Sequence, residues 1–157
     1  MITLGGRKIK GLEGFDYYHL FILVQQSDGA WNIVHHAFPS GNLVSPGILI
    51  GKVNGWEPGD VDYNLFNKAP EEDRISISVT FPGNCDGFRK AFDDAKDKIN
   101  SKELPYQLPV LQRGDNVNNS NAYAYSLLRN AGITTGLYRI LYNNTKIIAP
   151  GWGHNLL

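Results

Sequence analysis

The sequence predicts a single α+β domain in which an antiparallel sheet packs against two main helices. Strand-like segments fill the first half of the chain, two amphipathic helical segments follow them, and strand-like residues return at the end. This order favours antiparallel pairing over a doubly wound parallel sheet, which needs strands and helices to alternate. Because 157 residues are enough to bury a core, we assign residues 1–157 to one domain.

The strand signal begins with a small hairpin that we expect over residues 2–12. Tyr17 to Gln25 is a nearly continuous apolar run, as in a strand that is buried on both faces. A Ser-Asp-Gly turn then leads into Ala30 to Phe38, which we expect to pair with that strand. Further strands are predicted at 47–53 and 74–81.

The rest of the chain supplies one loop, two helices and a last hairpin. Residues 54–73 are rich in Gly, Pro, Asp and Asn, which indicates a long surface loop. Apolar residues recur at helical spacing from Asp86 to Asn100 and again from about Ser120 to Asn130. We expect the chain to end in a hairpin that turns at Asn143-Asn144.

Composition excludes several classes of protein. The 15 basic residues balance the 15 acidic ones, so we expect no nucleic-acid partner. The single cysteine, Cys85, excludes an internal disulfide and a zinc site of several cysteines. No run of about 18 apolar residues occurs, so we expect no transmembrane segment. We also expect no cofactor and no metal, and the sequence assigns no localisation.

The run Asn118-Asn119-Ser120-Asn121 stands directly before the second helical stripe, and two interpretations of Ser120 are open. Asn and Ser are the most common helix caps, so Ser120 could simply cap its helix. Alternatively, Ser120 is a nucleophile. A nucleophile at a helix N-terminus lies beside unpaired backbone N–H groups that can bind an oxyanion.

A serine nucleophile needs a base, and His19 is the best candidate. An imidazole inside an apolar strand costs free energy unless it is hydrogen-bonded, although a core histidine with a satisfied ring is the alternative. His35 and His36 lie on the neighbouring strand, where alternation places one on each face, so one of them can orient the base. A histidine metal site is disfavoured because no carboxylate or cysteine lies at ligand spacing beside them.

Cys85 is the competing nucleophile, because it also stands at the start of a predicted helix, where a thiolate is favoured. A lone cysteine in a chain of this length is usually a small buried hydrophobe. We therefore expect Cys85 to be structural and to have no imidazole nearby.

These features together resemble the circularly permuted papain-like superfamily, which includes lecithin:retinol acyltransferase relatives and the PPPDE deSUMOylating peptidases. The motifs that carry the resemblance are a strand-borne histidine in YYHLFILV and, after it in the chain, a helix that opens with NSNAYAYSLL. The resemblance implies that His19 is the base and that His35 or His36 is the polar third residue. It also implies that Ser120 occupies the position of the family's nucleophilic cysteine.

The same resemblance implies substrate-binding roles for three further residues. Asn119 and Asn121 flank the nucleophile position, and Tyr106 stands before the helix, where the family often has a tyrosine. The reaction implied is acyl transfer from an amide or ester to water or another acceptor, on a protein, peptide or lipid-ester substrate.

The departure from the family is the serine at position 120 itself. Three outcomes stay open: an active serine variant, an inactive relative that only binds, and an engineered replacement of cysteine. The binding module is the alternative of a different class, with Ser120 only capping its helix. The Asn-Ser-Asn helix followed by Pro150-Gly151-Trp152 also looks similar to C-terminal domains of bacterial polymorphic toxins and effectors, which would imply a cognate immunity protein as partner.

Overall fold

The computed structural model describes residues 1–9, 17–25, 31–79, 85–108, 117–133, 141 and 149–157. The elements in chain order are β1 (Ile2–Ile9), β2 (Tyr17–Gln25), β3 (Trp31–Pro39), β4 (Leu49–Gly55), α1 (Val61–Lys68), β5 (Arg74–Val79), α2 (Cys85–Ser101) and α3 (Ser120–Asn130). The strands form one antiparallel five-stranded sheet in the order β4-β3-β2-β1-β5. The predicted α+β class is therefore confirmed. Across the residues that the structure describes, no helix combines the length and the apolar character needed to span a bilayer.

The sheet is covered on both faces, and β2 lies at its centre. Leu20 and Ile22 belong to the larger core cluster, which also contains Phe92 of α2 and Leu127 of α3. The alternate side chains of β2 point to the other face, where Phe21 packs in a smaller cluster with Phe66 of α1. Burial on both faces is the physical reason for the continuous apolar run of this strand.

The hairpin predicted over residues 2–12 is wrong, because β1 is one continuous strand that pairs with both β2 and β5. Gly5 and Gly6, which look like a turn in the sequence, lie inside it. A Cβ atom at Gly5 would overlap the ring of Phe21, and one at Gly6 would come within 2.7 Å of the Leu20 side chain. These glycines therefore allow large side chains of β2 to cross over β1.

The surface loop predicted at 54–73 contains a helix, α1, which carries a residue of the candidate site. Asp60 caps this helix, since its Oδ1 accepts hydrogen bonds from the backbone of Asp62 at 2.9 Å and of Tyr63 at 3.1 Å. Eight residues give too few apolar positions for a clear helical period, so the Gly, Pro and Asp signals of the flanks dominate the pattern.

The last residues of the chain, 149–157, pack against the start and the middle of α3. The Pro150 carbonyl accepts hydrogen bonds from the side chains of Asn119 at 2.9 Å and Asn121 at 3.0 Å. Leu156 N–H donates to Ser126 Oγ at 2.8 Å. The hairpin predicted to turn at Asn143-Asn144 lies outside the described residues.

Gly151 fits this segment tightly, and we expect Gly151→Ala to lower the free energy of unfolding by about 3 kcal/mol. Gly151 has a φ of +85°, and a Cβ atom there would lie 2.6 Å from Asn119 Oδ1 and 2.8 Å from the Val117 carbonyl oxygen. Gly132 is a matched control, because it has a φ of +82° and open space around it. Gly132→Ala should cost about 1–2 kcal/mol, the backbone strain alone. Equal losses in urea denaturation would contradict the tight fit at Gly151.

Candidate active site

The site lies where β2 and β3 separate. Pairing between these two strands runs from Gln25 opposite Trp31 to Ile22 opposite His35. Beyond Ile22, the side chain of Asn121 hydrogen-bonds to the backbone of β2 in place of β3. Its Oδ1 accepts from Leu20 N–H at 2.9 Å, and its Nδ2 donates to the Tyr18 carbonyl at 3.0 Å. The first residues of α3 therefore lie beside β2, next to His19. The rest of the helix packs on the other face of the sheet, against Leu20 and Ile22.

Ser120 is the first residue of α3, and its hydroxyl faces His19. The cap of the helix is Asn119, whose Oδ1 accepts from the backbone N–H groups of Asn121 at 2.9 Å and of Ala122 at 3.1 Å. Ser120 Oγ lies 2.8 Å from His19 Nδ1, so the contact expected between these two residues is confirmed. The alternative in which Ser120 caps its helix is wrong, because Asn119 provides the cap.

The other nitrogen of the His19 ring contacts a carboxylate. His19 Nε2 lies 3.0 Å from Oδ2 of Asp62, on the second position of α1. A carboxylate only accepts hydrogen bonds, so the neutral ring carries its proton on Nε2. Nδ1 is then free to accept the hydroxyl proton of Ser120. This tautomer is the one that a general base toward Ser120 requires.

Asp62 is fully buried and is contacted by two histidines and one arginine. His36 Nδ1 lies 2.8 Å from Oδ2, and Arg7 Nε donates to Oδ1 at 3.1 Å. Burial alone would raise the pKa of Asp62, but the charge and hydrogen bond of His19, the hydrogen bond of His36 and the charge of Arg7 outweigh it. The pKa of Asp62 therefore lies well below its ordinary value, and the carboxylate stays ionised.

The adjacent histidines His35 and His36 lie on opposite faces of β3, as alternation predicts. His36 shares the face of His19, and its ring packs edge-on against Phe38, which stacks on His19. His36 contacts Asp62, which in turn contacts His19, so the hydrogen-bonded link from His36 to the His19 ring runs through this carboxylate. His35 points to the helices, where its ring lies 5.1 Å from that of Phe92. The structure therefore does not bring His35 to the Ser120–His19 pair.

His35 should instead make the fold sensitive to acid. Burial, followed by the positive charge of Lys96, lowers the pKa of His35 from 6.5 to about 4. Because the fold favours the neutral ring, this contribution to stability is complete above pH 6.5 and is lost as the pH falls toward 4. The total loss is about 3 kcal/mol.

We expect His35→Leu to flatten the fall of unfolding free energy over this pH range, as measured by urea denaturation at several pH values. His154 is a suitable control, because it is only partly buried and its ring contacts the Asn118 side chain at 3.2 Å. An unchanged slope in His35→Leu would contradict the assignment of this acid sensitivity to His35.

Tyr106 also reaches Ser120. Tyr106 N–H donates to the Gly47 carbonyl at 2.8 Å, and its hydroxyl hydrogen-bonds to the side chain and to the backbone of Ser120. Burial raises the pKa of Tyr106, while both contacts with Ser120 oppose this rise because they favour the phenolate. A backbone group that favours the phenolate is a donor, so we assign this contact to Ser120 N–H.

Asn119 and Asn121, for which the sequence suggests substrate binding, are both 1% exposed and hydrogen-bond within the protein. Cys85 begins α2, and its side chain lies outside what the structure describes. Its predicted structural role stays a prediction.

The sequence-based hypothesis missed Asp62 and Arg7. Asp62 falls in the segment whose composition predicts a loop, and Arg7 in the strand whose sequence predicts a hairpin. The sequence does contain one signal of a helix start near Asp62. Asp60 is a good cap residue, Asp62 is an acidic residue of the kind favoured in a first helical turn, and the apolar Phe66 follows at helical spacing. No signal in the sequence joins Arg7 to it.

Within the described ranges, no group of three or more His, Cys, Asp and Glu side chains is arranged to hold a metal ion. Comparison with known proteins found no matching family model, no matching curated protein and no matching solved structure. The chemistry of this site therefore has to be inferred from its own geometry.

Proposed function

We propose that this protein is a serine acyl hydrolase or acyltransferase, with Ser120 as nucleophile, His19 as general base and Asp62 as the orienting carboxylate. The observation that carries the proposal is a continuous chain of contacts, 2.8 Å from Ser120 Oγ to His19 Nδ1 and 3.0 Å from His19 Nε2 to Asp62 Oδ2. Nucleophilic catalysis by serine needs this order of groups. Asp62 takes the third position that the sequence-based hypothesis gave to His35 or His36.

In the proposed reaction, Ser120 Oγ forms a bond to the carbonyl carbon of an ester or amide while its proton passes to His19 Nδ1. The buried charge of Asp62 stabilises the resulting imidazolium. The tetrahedral intermediate then collapses, and the leaving alcohol or amine takes the proton from His19. Water or another acceptor gives its proton to His19 and attacks the acyl-serine. The bond between the acyl carbon and Oγ then breaks, and His19 Nδ1 returns the proton to Oγ, which releases the acyl product and restores Ser120.

Not every N–H group at the N-terminus of α3 is available to bind an oxyanion. Asn119 Oδ1 already accepts from the N–H groups of Asn121 and Ala122, so these amides are engaged. The Tyr106 hydroxyl and Ser120 N–H instead contact each other, and they would exchange this mutual contact for the oxyanion when substrate binds. Because burial raises the pKa of Tyr106, its hydroxyl stays protonated and can donate. We assign the oxyanion to these two donors.

The relation to permuted papain-like domains is part of this proposal. It is supported by chain order, since the histidine strand β2 precedes the nucleophile helix α3. His36 and Arg7 hold Asp62 in place, and the Arg7 guanidinium balances its charge. The substrate class proposed is a protein, peptide or lipid carrying an ester or amide bond.

Hydrolysis of p-nitrophenyl acetate tests the proposal. We expect Ser120→Ala to lower turnover to the background rate while Tm changes by only a few degrees, because Asn119 provides the cap. Ser126→Ala is the matched control. Ser126 lies in the same helix, and its hydroxyl donates to the Ala122 carbonyl and accepts from Leu156 N–H.

This control variant should lose stability and keep its activity. Equal turnover by wild type and Ser120→Ala would contradict the role of Ser120 as nucleophile.

A further inference from the structure

Asn121 follows the proposed nucleophile directly, yet its side chain contacts the strand that carries the proposed base. Its Oδ1 accepts from Leu20 N–H at 2.9 Å, and its Nδ2 donates to the carbonyls of Tyr18 and Pro150, each at 3.0 Å. The residue is 1% exposed. The carboxamide therefore uses both of its donor hydrogens and its acceptor inside the protein.

The two contacts on β2 lie on either side of His19. Tyr18 and Leu20 are the residues before and after His19, and antiparallel pairing normally satisfies such groups through a neighbouring strand. Here one side chain satisfies both. The path from nucleophile to base is thus short: the peptide bond between Ser120 and Asn121, the Asn121 side chain, and two hydrogen bonds to the backbone around His19.

We propose that Asn121 is the positioning residue that sets the separation of Ser120 Oγ and His19 Nδ1. The positioning of His19 by Asn121 does not depend on the proposed function. The expected effect of Asn121 on the reactivity of Ser120 does rest on it. Alanine is too short to reach β2. Aspartate could still accept from Leu20 N–H, but it would set a carboxylate against the carbonyl oxygens of Tyr18 and Pro150.

The same device occurs elsewhere in the fold without a catalytic neighbour, and it provides a control. The Asn100 side chain of α2 makes two hydrogen bonds to the backbone of Gly51 in the edge strand β4. It accepts from the Gly51 N–H at 2.8 Å and donates to the Gly51 carbonyl at 3.0 Å. Asn100→Ala removes the same kind of contact from a strand that carries none of the site residues. It therefore measures the loss of stability that follows when such a pair of hydrogen bonds to a strand is removed.

The experiment compares Asn121→Ala with Asn100→Ala by two readouts. The first is the ¹⁵N NMR signal of His19 Nδ1, assigned with His19→Gln. The second is the rate of covalent labelling by a fluorophosphonate. We expect both variants to lose stability, but only Asn121→Ala to shift the His19 Nδ1 signal and to slow labelling, by roughly 100-fold. If Asn121→Ala does not fold, Asn121→Asp should shift the signal in the same way.

Wild-type His19 signals and labelling rates in Asn121→Ala, or equal changes in both alanine variants, would overturn the proposal. A wild-type protein that does not label, together with a His19 signal that shifts only in Asn121→Ala, would refute the proposed function and support the positioning role. The two failures are therefore distinguishable.

Discussion

Asp62→Asn should slow the labelling of Ser120 by a fluorophosphonate about 10⁴-fold. Asparagine presents either its amide hydrogens or its carbonyl oxygen to His19 Nε2. When the hydrogens face the ring, Nε2 becomes the acceptor and the ring proton moves to Nδ1, so the base toward Ser120 is lost. The imidazolium formed during attack also loses its buried counter-charge.

Asp73→Asn is the matched control, because Asp73 also pairs with a cation of β1, Lys8 Nζ, at 3.3 Å. It lies outside the Ser120–His19–Asp62 chain and should label at the wild-type rate. A labelling rate in Asp62→Asn within a few-fold of that of Asp73→Asn would mean that Asp62 does not orient the base.

Ser120→Cys should produce a thiolate at neutral pH. The thiol would lie where Oγ lies now, beside His19 and at the N-terminus of α3. Both features lower a cysteine pKa, so we expect a midpoint for alkylation by iodoacetamide below about 7, against about 8.5 for a free thiol. The measurement is the alkylation rate as a function of pH.

The background for this measurement is Cys85→Ser, so that position 120 carries the single thiol of the chain. A midpoint near that of a free thiol would contradict the activation of position 120 by His19 and the helix. An activated cysteine together with an inert wild type would indicate a site that has lost its nucleophile and now only binds.

The pair Ser120 and His19 could be predicted because the local sequence around each residue carries a clear signal. His19 is a polar ring inside an apolar run, and Ser120 lies among the capping residues of an amphipathic helix. The cap itself could not be assigned, since Asn119 and Ser120 are both good caps. The structure adds a bond from Asn119 Nδ2 to the Pro150 carbonyl, which no local pattern encodes.

The carboxylate could not be predicted for a different reason. Asp62 is 43 residues from His19 and 26 from His36 in the chain, and only the packing of α1 on the sheet brings them together. The role of the glycines in β1 also depends on residues that are distant in the chain. Gly5 and Gly6 suit a turn as well as a close approach, and the large side chains opposite them decide between the two.

The most direct test of the account is to expose the wild-type protein to a fluorophosphonate and to map the adduct by mass spectrometry. We expect one adduct, on Ser120, that is absent from Ser120→Ala and His19→Gln. An adduct on another residue, or undiminished labelling of Ser120 in His19→Gln, would contradict it.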